Sequence, residues 1–428
     1  ISMRQRSPIW HRIEYAFQIA PMLSPQDDRR NGWVFTLCYA LIFFSAPVIY
    51  VGVVQATLLD KLGASAAIAN LPASTYMLGQ IAPLFFSWLV PHRLERSMVV
   101  WANLMTASVI GMVFLSLILP APPELRIGAV VLQGLLQGLS SSTSFVFMVQ
   151  CLRRGTSEAG LALTLKRTFG LTPLIAVAGS LGAQYVLNPG LPFLPYPYDF
   201  AAIYLAGATC MTGVALSARR FQLLEVADEP RTAFVSFLTG SARSFFADRR
   251  MSFLWLAYVL WYASLSITSN LSLYTRSAMG RDPKDFSGLI MAIRFGCKSA
   301  GGFLLGGLSE RSGIRAGVIG TTVLLVLGCA WAWAIPGWGY LFAFGLLGAG
   351  ELGGAYLPNY VSRLSTPAES TRNLAMITLA TPASSFAPVM HGVLSDRFGF
   401  ATSFAMGIAC ALAALLLVLA AKGKPVEN

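Results

Sequence analysis

Between residues 32 and 421 the chain alternates long apolar runs with short polar breaks. Each run is about as long as a helix must be to cross the hydrocarbon core of a bilayer. Twelve helical spans are predicted. Six cover 32–58, 64–90, 96–119, 126–150, 159–187 and 199–218, and six cover 250–275, 285–308, 316–336, 338–363, 370–395 and 399–421. The longest polar stretch, 219–249, separates the two sets. Apolar residues recur at helical spacing over 232–246, which predicts a helix lying along the membrane surface. A polar tail, 1–31, precedes the first six-helix bundle (32–218), and a short tail, 422–428, follows the second (250–421). Within the first tail, 8–17 mixes aromatic and charged residues and reads as a short interfacial helix. The proline-rich 188–198 stretch is expected to be extended.

Composition agrees with this pattern. The chain is 55% hydrophobic and 12% charged, against about a quarter charged in soluble domains, so polar surfaces for two or three soluble domains are missing. The net charge of +12 is scattered over short loops, which argues against a nucleic-acid surface. Of the 31 Lys and Arg residues, 21 fall on the side of the tails and the 219–249 link. Six lie on the opposite side (Lys61, Arg126, Arg276, Arg281, Lys284 and Arg397), and four lie inside spans. That bias predicts cytoplasmic termini in a bacterial inner or plasma membrane. The six cysteines follow no metal or disulfide spacing and read as small core residues. No Walker loop and no nucleophile–base pair stands out, so neither an enzyme nor a cofactor is expected.

The informative residues are charges at membrane depth. Arg294 and Lys298 lie near the middle of span 285–308, one helical turn apart on one face. Each costs about 2.5–3.5 kcal/mol on insertion scales. Their mutual repulsion adds roughly 3 kcal/mol at about 6 Å and an effective dielectric near 20. Either they recognise an anionic substrate, or they form an ion cluster with Glu351, the one carboxylate near the middle of a span. Glu351 itself reads as a proton carrier or as a fixed counter-ion. Lys166 and Arg167, nearer the end of their span, either reach the headgroups or add a second positive point along a cavity. Tyr50, Gln137, Tyr262 and Asn270 are further candidate substrate contacts on spans with polar and aromatic positions. His391 reads as structural.

The run Gly306-Gly307-Leu308-Ser309-Glu310-Arg311-Ser312-Gly313-Ile314-Arg315 resembles the loop motif of the major facilitator superfamily, Gly-x-Leu-x-Asp/Glu-Arg-x-Gly-x-Arg, which follows the second helix of each half. The first-half copy, 87–96, keeps only Leu89 and Arg96. Gly392 to Gly399 resembles the motif as well, but on the outer side. Two further matches, Gly134-Leu135-Leu136 with Gly345-Leu346-Leu347 and Glu158 with Glu369, lie 211 residues apart and suit two parallel repeats. The resemblance implies an all-α integral membrane protein of twelve helices in two pseudo-symmetric bundles. It implies a central cavity lined by the first and fourth helices of each half, worked by alternating access. Glu310, Arg311, Arg315 and Arg96 would form a cytoplasmic gate. The expected function is secondary active transport of a small organic anion, coupled to protons, by a monomer whose partners are substrate, coupling ion and lipid. The alternatives are export of amphipathic drugs or metabolites, or a non-transporting receptor on the same fold.

Overall fold

The computed structural model describes residues 24–187, 194–224 and 233–421. The expected interfacial helix at 8–17, the C-terminal tail and 188–193 of the proline-rich stretch lie outside these residues. Twelve helical rods run through the described residues in chain order. They are α1 (25–61), α2 (66–89), α3 (Glu95–Ile118), α4 (Pro123–Gly155), α5 (Glu158–Leu187), α6 (Tyr198–Ala218), α7 (249–279), α8 (Ser287–Ser312), α9 (Ile314–Ala334), α10 (342–364), α11 (367–398) and α12 (Phe400–Ala420). Among the described residues, nine rods are long and apolar enough to cross a membrane as continuous helices. The other three, α1, α2 and α11, are interrupted where Pro47, Pro83 and Pro388 restart the helix after a break. The protein is thus an all-helical integral membrane protein of two six-helix bundles. α1 begins at Pro25, seven residues earlier than its apolar pattern suggests. The Ser24 hydroxyl accepts the Asp27 N–H at 3.1 Å, and Asp27 and Asp28 favour the positive helix end.

Buried apolar side chains gather into two cores. One holds Phe35, Leu58, Phe147, Phe200 and Tyr204, and the other Trp261, Phe295, Tyr340, Phe344 and Phe404. Within the first bundle, α2 crosses α4 where a Cβ on Gly138 would collide with the Tyr76 carbonyl. Gly138→Val is therefore expected to cost about 1–3 kcal/mol and to lower the thermal midpoint in detergent. An unchanged midpoint would mean that the crossing yields freely. The polar link contains the helix Phe234–Ala247, whose Phe234 ring lies 5.3 Å from both Phe85 and Trp88 of α2.

The face that carries this link is called the linker face below, and the opposite end the far face. Bonds between the two bundles cluster at the far face. Arg276 of α7 grips Asp60 of α1 at 2.6 and 3.2 Å. Lys61 pairs with Asp282, and Lys284 pairs with the buried Asp199 of α6 at 2.5 Å. Gln184 of α5 accepts the Gly288 and Leu289 N–H groups at 2.9 and 3.0 Å. Asp396 of α11 accepts the Ala66 and Ala67 N–H groups at 3.0 and 2.9 Å, so it caps α2 of the opposite bundle. Gly52, with φ of 153°, breaks α1 beside Ser269 of α7, where a side chain would not fit. Burial pushes the Asp282 carboxyl up, but Lys61 and the Lys284 N–H outweigh it and hold it below the usual carboxylate range. This contact therefore stabilises the seam at neutral pH and weakens only as pH falls through that depressed value.

Candidate functional site

With the far face joined, the space between the bundles opens toward the linker face. Its wider part, about 1210 Å³, runs past Lys166 and Phe169 of α5, Phe303 of α8 and Pro358 of α10. Its inner end is a chamber of about 390 Å³ bounded by Tyr50, Tyr76, Gln80, Trp261 and Tyr262, with Arg294, Lys298 and Glu351 at its wall.

The three charged residues meet because two helices approach closely. A Cβ on Gly348 would strike the Arg294 carbonyl, and one on Gly301 would strike Ala349. α10 consequently lies tight against α8. At Glu351 the regular α10 ladder gives way: Leu352 N–H bonds to Ala349 O at 3.2 Å and Gly354 N–H to Glu351 O at 3.1 Å, each short of the regular four-residue step. Glycines 350, 353 and 354 surround this break. The Glu351 carboxylate is shared. Oε1 accepts from Lys298 Nζ at 2.8 Å, and Oε2 accepts from Arg294 Nε at 3.0 Å and Nη2 at 2.9 Å. Two cations around one carboxylate leave one net positive charge. The Lys298 ammonium also lies over the rings of Tyr50, at 5.6 Å, and Phe295, at 6.0 Å.

The other sequence candidates separate. Tyr50 and Tyr262 line the chamber, and the Tyr262 hydroxyl lies 3.2 Å from that of Tyr258. Gln137 and Asn270 do not line it, which corrects their expected role as substrate contacts. Gln137 is fully buried; it donates to Ile49 O at 2.8 Å and accepts from Gln133 at 2.9 Å, tying α4 to the break in α1. Asn270 lies eight residues beyond Tyr262, about 12 Å along a helix axis. There it donates to Ser395 and Ser403 at 2.8 and 2.9 Å and accepts from Asn70 at 3.2 Å, within the far-face seam. The expected gate residues make no bond between bundles among the described residues. Arg315 donates to Val418 O and Leu419 O at the end of α12, and Arg96 donates to Phe221 O just past α6. Glu310 and Arg311 are exposed. His391 is buried, bonded to Ser403 Oγ at 2.8 Å and Ala263 O at 2.9 Å, in a packing role.

Sequence reasoning passed over Tyr76 and Gln80. Both are polar positions next to the α2 break before Pro83, and that combination was a usable signal. Lys166 lines the outer part of the cavity and has no ion pair among the described residues. Arg167 instead turns to α1, 3.8 Å from the Trp33 ring centre and 2.9 Å from Thr36 Oγ1. If the cavity takes an anion, Lys166→Ala should weaken its apparent affinity roughly three- to tenfold at low salt, with the difference shrinking at high salt. Equal affinities at low salt would remove Lys166 from the pathway.

No family model and no curated protein sequence matches the chain. Solved structures do. A mutant of the nucleoside transporter NupG superposes with a TM-score of 0.66 at 14% identity, covering 91% of this chain and 98% of its own. A D-xylose–proton symporter gives 0.65 at 15% identity, covering 93% and 99%. The major facilitator superfamily transporter FucP, in its outward conformation, gives 0.58 at 13% identity, covering 91% and 99%. Twelve rods in two bundles around a central cavity, matched over nearly the whole length of such proteins, give this chain the major facilitator superfamily fold.

Proposed function

We propose that the protein is a secondary active transporter that moves a small organic anion across a membrane by alternating access, with a proton as coupling ion. The observation that carries this reading is the single Glu351 carboxylate held between Arg294 and Lys298 at the inner end of the cavity. The anionic group of a substrate competes with Glu351 for the two cations, and a proton neutralises the displaced carboxylate. The cluster carries one net positive charge when empty, and one again when Glu351 is protonated and the anion is bound. The desolvation cost of a second unpaired charge at membrane depth is avoided. Tyr50 and Tyr262 contact the bound molecule. The bias of Lys and Arg toward the linker face supports a cytoplasmic position for it, in which case the conformation described is open inward. A receptor on the same fold needs no such charge exchange, whereas coupled transport does.

The test is flux into proteoliposomes with an imposed pH gradient, using a panel of radiolabelled organic acids. Saturable, gradient-driven uptake that Arg294→Ala reduces at least about tenfold is expected, because a lost charge-assisted contact is worth roughly 1.5–3 kcal/mol. If Arg294→Ala and Glu351→Gln both left uptake and its proton dependence intact, the assignment would fail.

A further inference from the structure

The walls of the cavity beside Lys298 say more about the substrate than its charge does. Rings from both bundles surround the cation pair. Tyr50 and Phe295 meet edge to face at 4.8 Å, and Phe43 joins Phe295 at 6.0 Å. On the other side Tyr258 and Tyr262 lie 4.8 Å apart, and Trp261 stands 4.9 Å from Tyr262. A molecule whose anionic group sits at Lys298 therefore places its body among aromatic rings.

The hydrogen-bonding capacity of the rings themselves is low. The Tyr258 hydroxyl donates to Gly354 O at 3.2 Å and lies 3.2 Å from the Tyr262 hydroxyl, so the two phenols largely satisfy each other and the backbone. Trp261 Nε1 is buried at the chamber wall without a partner among the described residues, and Gln80, Ser266 and Ser269 bring further polar groups to that deeper wall. Hydroxyls of a sugar or nucleoside placed among these rings would find few partners, and each unpaired one costs affinity. A flat apolar ring loses nothing there and gains offset or edge-to-face contacts. A single carboxylate already engages both cations, as that of Glu351 does, so a dianion would leave its second carboxylate among the rings without a cation.

Resting on the anion reading above, we infer that the substrate is an aromatic or arylalkyl monocarboxylic acid, its carboxylate at Arg294 and Lys298 and its ring between Tyr50, Phe295 and Tyr262. Binding to the full chain in lipid nanodiscs tests this, read by tryptophan fluorescence and thermal midpoint. The probes are 3-phenylpropionate, acetate, succinate and the neutral 3-phenylpropanol. The expected result is a Kd for 3-phenylpropionate at least about tenfold below those of the other three, since ring contacts and the ion pair each contribute on the order of one decade. Tyr50→Leu and Phe295→Leu should each reduce the ratio of acetate to 3-phenylpropionate Kd by roughly threefold or more, and two variants guard against one that fails to fold. Equal Kd values for acetate and 3-phenylpropionate overturn the aromatic assignment while leaving an anion transporter. Equal binding of 3-phenylpropanol overturns the ion-pair part. Saturable binding of no anion at all overturns the anion reading, and this inference with it.

Discussion

Glu351→Gln is expected to abolish gradient-driven uptake, by about a hundredfold or more, while tightening anion binding. Among the described residues, its carboxylate is the one negative charge touching Arg294 and Lys298. Without it the cluster carries two positive charges one helical turn apart. An extra unit of charge at about 5 Å, with an effective dielectric near 20, is worth roughly 3 kcal/mol, or about two decades of affinity for an anion. The bound anion then becomes the counter-ion and leaves slowly. The same change removes the group proposed to take the proton, so uptake should lose its response to a pH gradient. The substrate-free protein should also be less stable, because breaking a buried pair typically costs about 3–5 kcal/mol. Added anion should restore part of that loss. Uptake, Kd and thermal midpoint of one variant check all three statements. Gradient-driven uptake at the parent rate would exclude Glu351 from the coupling step.

Asp396→Ala is expected to shift the conformational balance toward a state open at the far face, by about five- to thirtyfold. Asp396 caps two N–H groups of α2 across the seam. A carboxylate at a helix N-terminus, bonded to its free N–H groups, contributes roughly 1–2 kcal/mol. Ser65, in the α2 bundle itself, already offers its hydroxyl to Ile68 N–H at 3.4 Å, so the helix keeps a cap of its own when Asp396 is lost. The effect therefore falls on the junction between bundles rather than on the stability of α2. Under the alternating access proposed above, the cap would break in every cycle, together with Asp60–Arg276, Lys61–Asp282 and Lys284–Asp199. Spin-label distances between Gly63 and Arg281, two far-face loop positions, would report the shift. An unchanged distance distribution in Asp396→Ala would mean that the ion pairs alone hold the seam. Exposed pairs are individually worth about 0–1 kcal/mol, so single replacements of Asp60 or Lys61 should move the distribution less.

The Asp396 contact also shows how a motif can be legible without its role. Gly392 to Gly399 reads like the gate loop that follows α8, yet α11 ends on the other face. The same chemistry, an acid beyond a glycine-rich helix end, serves there to hold a helix terminus of the opposite bundle. The familiar copy at Gly306 to Arg315 holds only its own bundle in this conformation, through Arg315 and the end of α12.

What the sequence determined by itself was the set of apolar runs, their division into six and six, and the anomaly of Arg294, Lys298 and Glu351 at membrane depth. These follow from composition and spacing alone: a bilayer demands runs of fixed length, and a charge within one is too costly to be incidental. Only the tertiary structure decided where each polar side chain points. Gln137 and Asn270 sit on helices that border the cavity, but each residue turns a helix by about 100°, so a neighbouring position can face the cavity while these face a partner helix. The breaks in α1, α2 and α11, and the tightening of α10 at Glu351, alter that rotation further along each rod. No count along the chain yields the final facing. The closed far face and open linker face depend on contacts between residues up to 330 positions apart, which a linear pattern does not contain.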